Sequence, residues 1–238
     1  MTAIILVFLL AGVIKGVIAL GLPTISMGLL SLVMPPGAAA SLLIIPSLVT
    51  NAWQLLIGPD FFGLIRRLWT LLAGIILGTL FSPLPTLSAG SGLTQIALGV
   101  VLIMYGVWGL LAKSTPNPGR HERWLSPTLG YITGCISAAT GIFVIPAVPY
   151  LQALRLPKDD LIQALGLAFT ASTVGLALQL GQDNQLAQID YSQCLIALLA
   201  ALAGMSVGQH LRRYISETTF RRLFFIGLIA LGAYMALH

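Results

Sequence analysis

Lys15 is the one charged residue deep inside an apolar run of this chain. A cation at membrane depth costs at least about 2.5–3.5 kcal/mol on insertion scales. It sits six residues before Gly21, in a run that Gly and Pro interrupt: Gly12-Val-Ile-Lys-Gly16-Val-Ile-Ala-Leu-Gly21-Leu-Pro23. A second interrupted run reads Gly130-Tyr-Ile-Thr-Gly134, then Ala139-Thr140-Gly141-Ile-Phe-Val-Ile-Pro146. A helix broken inside a bilayer exposes backbone groups that protein, water or a ligand must satisfy. A half-helix N-terminus offers unpaired N–H groups and a partial positive charge, a ready anion site. Thr24 and Ser26 follow the first break, and Thr140 and Gly141 mark the second. Together with Lys15 and Gly21, these residues have the chemistry to hold an oxyanion. Two plainer readings stay open: a lysine that snorkels to a helix end, and hydroxyls that bond back to their own helix.

Other polar residues lie in later apolar runs. Thr50, Asn51 and Gln54 are in one; Gln163, Ser172 and Thr173 are in another. They suit a cavity wall or a bridge between helices. Asn51 is the best placed, because Thr50-Asn51 stands where Ser172-Thr173 stands in the other half. Gln179 is expected near an aqueous end. Trp53, Trp69, Trp108 and Trp124 fall at or near run ends and read as interfacial anchors. Cys135 and Cys194 read as two buried small hydrophobes. No phosphate-binding Gly-Lys-Ser/Thr loop is present, which argues against an ATP-driven pump. His121, His210 and His238 fall in loops or at the end, so no intramembrane metal cluster is expected. Neither Ser126 nor Ser137 has a His at helical spacing, which argues against a serine protease. No Asp or Glu lies in the deep runs, so no carboxylate proton relay is visible; neither an enzyme nor a cofactor is implied.

The elements that position these residues follow from composition. The chain has 238 residues, 57% hydrophobic and 8% charged, with a mean hydropathy of +0.95. A soluble domain carries about 25% charged residues, so an all-α polytopic membrane protein is expected. Long continuous apolar runs exclude the alternation of a barrel. They fall at 2–33, 37–57, 67–84, 92–112, 124–154, 160–181, 190–208 and 217–237. The start, Met1-Thr-Ala-Ile-Ile, has no basic n-region and is read as part of the fold. The polar linker 113–123 divides the chain into 1–112 and 124–238, and the halves match. Each opens with a broken run, then enters a helix near Pro35 or Pro157 with Pro expected in its first turn. Gly74-Ile-Ile-Leu-Gly78 lines up with Gly204-Met-Ser-Val-Gly208 as faces for close helix approach. Eleven Lys and Arg lie outside the deep runs: Arg66, Arg67, Lys113, Arg120, Arg123, Arg155, Lys158, Arg212, Arg213, Arg221 and Arg222. Eight full crossings would split them across the membrane, against the positive-inside rule. If the first and fifth runs are re-entrant hairpins, all eleven fall on the cytoplasmic side and 83–91 and 182–190 fall outside. The two four-segment repeats are then inverted.

The broken Gly-x-x-x-Gly openings, with Pro35-Pro36-Gly-Ala-Ala-Ala and Leu-Val-Thr-Asn51, resemble the TauE/SafE family of sulfite and organosulfonate exporters. The resemblance runs over nearly the whole chain. Ala19-Leu20-Gly21-Leu22-Pro23 replaces the glycine triplet of many members. The resemblance implies a multi-pass protein of the bacterial inner membrane that exports sulfite or an organosulfonate such as sulfoacetate. The residues themselves imply a secondary transporter of a small anion, held between the two breaks by Lys15, Gly21, Thr24, Ser26, Asn51, Thr140, Gly141 and Thr173. An anion channel and a membrane subunit of a larger assembly are the alternatives. The bilayer and a small anion are the expected partners; nucleic acid is not one, and a homodimer is left open.

Overall fold

The computed structural model describes residues 1–87, 92–112, 116–188 and 190–237. Lys113, His238, residues 88–91 of one loop and residue 189 of another lie outside the described residues. Among the described residues every regular element is helical. The α-helices are α1 (Thr2–Ile18), α2 (Leu22–Leu30), α3 (Pro36–Leu56), α4 (Phe61–Leu80), α5 (Gly92–Leu111), α6 (Glu122–Thr140), α7 (Ala147–Ala153), α8 (Lys158–Gln182), α9 (Tyr191–Leu211) and α10 (Glu217–Leu237). Six of them, α3, α4, α5, α8, α9 and α10, are long and apolar enough to cross a bilayer, while α1 is shorter. With no water in a bilayer core, helices satisfy their backbone groups internally. This is a multi-pass membrane protein.

The two interrupted runs form helix pairs. The first stops at Ile18 and restarts at Leu22, with Ala19 at φ 60° and Gly21 at φ 100°. The left-handed conformation ends α1, and Pro23 lies in the first turn of α2, where its missing N–H is harmless. The second stops at Thr140, with Gly141 at φ 69°, and restarts at Ala147. Pro35 and Pro157 hold matching positions before α3 and α8, at φ −55° and −49°. Pro157 thus precedes its helix rather than lying in the first turn; Pro36 takes that place in α3.

The Gly-x-x-x-Gly faces explain the strongest packing. Gly12 and Gly16 of α1 meet Gly204 and Gly208 of α9, backbone to backbone. Gly130 and Gly134 of α6 meet Gly74 and Gly78 of α4 in the same way. A Cβ at any of the eight would collide with a main-chain atom of the facing helix. Each broken helix therefore packs on the third segment of the other half, a pairing that spacing alone does not reveal. In both pairs the helices run parallel, since residues 12 to 16 climb alongside 201 to 208, and 130 to 134 alongside 71 to 79. The other principal pairs are α5 with α10, α3 with α8, α4 with α8 and α3 with α9. Exchanging the two halves converts this set of pairs into itself.

The ends are distinguishable. At one, Arg67 is paired with Glu122 at 2.7 Å, and Lys158, Arg212 and Arg221 share one pocket. At the other, Gly37 faces Gln185 and the Leu87 carbonyl, and Met34 shares a pocket with Asp190. Asp190 caps α9 by accepting from the Ser192 and Gln193 amides at 2.9 and 3.2 Å. Chiefly the Gln193 amide holds its carboxyl below the usual carboxylate range.

Candidate functional site

Lys15 lies on the last turn of α1 and is 3% exposed. It is not a snorkelling lysine: its Nζ turns into the bundle and donates to Thr50 Oγ1 at 3.1 Å and to Asn51 Oδ1. Both acceptors are neutral, and among the described residues no carboxylate lies within ion-pair distance. A buried cation without a counter-charge is strongly destabilising, so an anion here would offset a cost the fold already carries.

The local sequence of α3 explains why Thr50 and Asn51 are free to accept. Pro46 lies inside α3 and cannot donate to the Leu42 carbonyl, four residues earlier. The Cys194 thiol supplies a weak donor to that carbonyl at 3.9 Å, so this buried cysteine does more than fill space. The Thr50 hydroxyl donates to the Pro46 carbonyl at 2.8 Å, which leaves its oxygen to accept from Lys15.

Lys15 borders a cavity of about 610 Å³. Gly16, Ala19, Trp53, Gln54, Met205 and Gln209 form its walls, and Gly58, Pro59, Asp159 and Arg212 stand toward the cation-rich end. Two glutamines hold the wall together. Gln54 Nε2 donates to the Ile162 carbonyl at 2.8 Å. Gln163 Nε2 donates to the Leu55 carbonyl at 2.8 Å, and its Oε1 accepts from the Asp60 amide at 2.8 Å. For both, the bridge between helices is the reading that holds; Gln54 also lines the cavity. Trp53 is exposed and lines the cavity as well, a role that an interfacial anchor does not suggest. Trp69 and Trp124 are exposed, whereas Trp108 stacks on Tyr105 at 6.1 Å against the core.

The residues expected to bind an anion are not all gathered here. Lys15 lines the cavity, and Asn51 reaches it through Lys15. Gly21 packs on Ile14 and Phe224, and Gly141 on Met27; neither break glycine lines the cavity. Thr140 and Thr173 bond back to the Ile136 and Phe169 carbonyls at 2.7 Å each, the plainer reading of a helical hydroxyl. Thr24 and Ser26 do not: both are fully buried and neither oxygen has a partner. Ser47 Oγ, Ser137 Oγ and Asn51 Nδ2 are buried without partners too. Each such group costs about 1–3 kcal/mol unless water or a ligand meets it. Gln179 differs from expectation, being buried with neither amide atom partnered rather than wet.

The model of the sulfite exporter TauE/SafE family matches residues 4–235. The chain belongs to that family. No curated protein and no solved structure matches it. Membership brings a transporter's expectations to the cavity beside Lys15, since family members are transporters rather than enzymes. Among the described residues no group of three His, Cys, Asp or Glu is placed to hold a metal ion.

The sequence missed Asp159, Met205, Gln209 and Arg212 as cavity residues. Met205 and Gln209 follow Gly204 and Gly208 by one residue, so the Gly-x-x-x-Gly face would have placed them, had its partner been known to be α1. Arg212 read from sequence as a loop cation only, and Asp159 drew no reading.

Proposed function

We propose that this chain is a secondary transporter that exports a small anion, sulfite or an organosulfonate, across the bacterial inner membrane. The observation that carries this reading is Lys15: a buried ammonium, bound to two neutral oxygens, at the wall of a cavity of about 610 Å³. An anion's desolvation dominates its entry into a low-dielectric site unless a charge offsets it. Lys15 supplies that charge, and the unpartnered Asn51 Nδ2 supplies a neutral donor beside it. Gly21, Thr24, Ser26, Thr140 and Gly141 lie at or beside the two breaks, Thr173 lies on α8, and together they form the remainder of the path on this reading.

The repeats are 1–112 and 124–238, joined by the linker 113–123, and they are inverted. Three things support the inversion: packing pairs that survive exchange of the halves, α3 and α8 meeting near residues 51–55 and 162–166, and the cations collected at one end. By the positive-inside rule that end is cytoplasmic. The cavity then opens to the cytoplasm, as an exporter's loading state requires. The repeat-related site is closed by Thr79, which fills the space beside Gly175 while its hydroxyl donates chiefly to the Ile75 carbonyl at 2.8 Å and more weakly to the Gly134 carbonyl at 3.3 Å. Rocking one repeat against the other exchanges the open and closed sites.

The test is counterflow in proteoliposomes with sulfite, sulfoacetate, sulfate and a carboxylate. Saturable exchange of sulfite or the sulfonate is the expected result. Conductance without saturable exchange would make the protein a channel. Inactive protein that co-purifies with a partner would make it a subunit of an assembly.

A further inference from the structure

Exchange of the two halves sets each residue of the open cavity against a residue of a closed one. The Met205 carbonyl faces Gly16, and the Ile75 carbonyl faces Gly134. Lys15, one residue before Gly16, therefore corresponds to Thr133, one before Gly134, and Ala19 corresponds to Ser137. Gln209, four residues after Met205, corresponds to Thr79, four after Ile75. Thr50-Asn51 stands against Ser172-Thr173, so Trp53 corresponds to Gly175 and Ile57 to Gln179. Lys15, Ala19, Trp53, Ile57 and Gln209 all line the cavity of about 610 Å³. Their counterparts are shut. Thr79 Oγ1 lies 3.2 Å from where a Cβ on Gly175 would stand, and 3.3 Å from the Gly134 carbonyl.

Polarity runs against exposure across this set of pairs. On the open side Ala19 and Ile57 are apolar. On the closed side Ser137 Oγ and both amide atoms of Gln179 are buried, with no partner among the described residues. An unmet buried donor or acceptor is destabilising. Ala19 and Ile57 occupy the equivalent places, so the repeat architecture does not itself call for polar side chains there. The cost is offset if those atoms meet a partner in another state of the protein. That state is the one in which the second half opens, because these positions then become cavity wall. Thr133, in the place of Lys15, bonds back to the Leu129 carbonyl at 2.7 Å. The second half thus carries a hydroxyl where the first carries an ammonium.

We propose that Ser137 and Gln179 form an outer binding site for the transported anion, uncovered when the second half opens to the periplasm. The proposal deepens the transport reading and rests on it. Separation of Thr79 from Gly175 opens the site. The Ser137 hydroxyl and Gln179 Nε2 then donate to oxygens of the anion, and Gln179 Oε1 accepts from water. An anion that leaves Lys15 passes to neutral donors and is held more weakly, since hydrogen bonds from a charged donor are the stronger ones. An exporter uses that asymmetry to load at low concentration and release at high.

Each face is read separately by exchange in oriented proteoliposomes. Sulfite or sulfoacetate is varied on one side against a saturating concentration on the other. Ser137→Ala and Gln179→Leu should each raise the half-saturating concentration on the periplasmic side at least threefold and leave the cytoplasmic value within twofold. Neither should lower the melting temperature in detergent, because each removes an unmet polar group. In a background lacking Cys135 and Cys194, Gln179→Cys should react with a membrane-impermeant maleimide from the periplasm only, and external sulfoacetate should slow that reaction. If Gln179→Leu does not fold, Ser137→Ala carries the same comparison alone. Equal shifts on both faces, or no shift on the periplasmic face, would overturn the outer site and leave the transport reading standing. A Gln179→Cys protein that exchanges anion yet never reacts with the maleimide would do the same. Wild type that exchanges neither anion would instead sink the transport reading, and this site with it.

Discussion

Replacing Lys15 by Gln separates a binding lysine from a structural one, because the two roles move stability in opposite directions. Gln keeps a donor for Thr50 Oγ1 and Asn51 Oδ1, so the bridge from α1 to α3 can persist. What it removes is the charge. In the empty protein that charge is buried with no carboxylate partner among the described residues, and its removal should not lower thermal stability; relief of the desolvation cost should raise it. In the anion complex the balance reverses. A hydrogen bond to a charged group contributes about 1.5–3 kcal/mol and a neutral one about 0.5–1.5. The exchange should therefore cost about 1–1.5 kcal/mol of anion affinity. At about 1.4 kcal/mol per tenfold change, that is a Kd about 5- to 12-fold higher.

The assay pairs a thermal melt with and without sulfite or sulfoacetate against initial rates of exchange in proteoliposomes. The expected pattern is an unchanged or raised melting temperature without anion, a smaller anion-induced shift, and slower exchange at low substrate. Lys15→Arg should retain part of the affinity, since charge persists while the donor geometry changes. A Lys15→Gln protein that melts lower, yet binds and transports like wild type, would sink the reasoning. Lys15 would then be a packing and hydrogen-bonding residue alone.

Three further outcomes follow from the geometry. Gly208→Val should sharply reduce folded protein, because its side chain meets the Val13 carbonyl and the Gly16 backbone; Gly227→Ala, with nothing within 4 Å of the added carbon, should stabilise by up to about 1 kcal/mol in a detergent melt. Gly141→Ala should lower stability by about 1–2 kcal/mol, the usual cost of a left-handed non-glycine residue, and more if Met27, 2.8 Å from the added carbon, cannot shift. In a background lacking Cys135 and Cys194, Ser216→Cys should label from the cytoplasm only and Asn184→Cys from the periplasm only; labelling of both from one side would refute the inverted arrangement.

What the sequence made legible was local. Lys15 stood out because a cation in an apolar run is costly, and the breaks stood out because Gly and Pro punctuate helices wherever they fall. The Gly-x-x-x-Gly faces were equally visible, yet their partners were not. Gly12 and Gly16 specify a close approach, but spacing within one helix cannot say that Gly204 and Gly208 complete it. The same limit hid Met205 and Gln209 from the cavity. Hydroxyls were the least legible. Thr140 and Thr173 bond back to their helices while Thr24 and Ser26 find no partner. All four are buried, so the difference lies in how each side chain turns, and mean hydropathy is blind to it.

The position of the breaks alters the physical picture of the path. An anion held between two facing half-helix ends would draw on both dipoles at once. Here the first break borders the cation-rich end, where Ala19 lines the cavity, and the second packs against Met27 of α2. The positive ends of the half-helices, the starts of α2 and α7, contribute no residue to the cavity wall, so helix dipoles cannot act as a single clamp around Lys15. Charge compensation in the larger cavity therefore falls on the ammonium itself, with neutral donors around it. One buried charge favours a singly charged anion there over a doubly charged one. Protonation of a weak-acid oxyanion would then change how well that site holds it. An exchange assay run across the second ionisation of the substrate, with a sulfonate of fixed single charge as the control, reads that preference directly. The rate for the weak acid should rise as its monoanion becomes dominant, while the sulfonate rate stays flat; parallel profiles for the two would show that the lysine site does not select by charge.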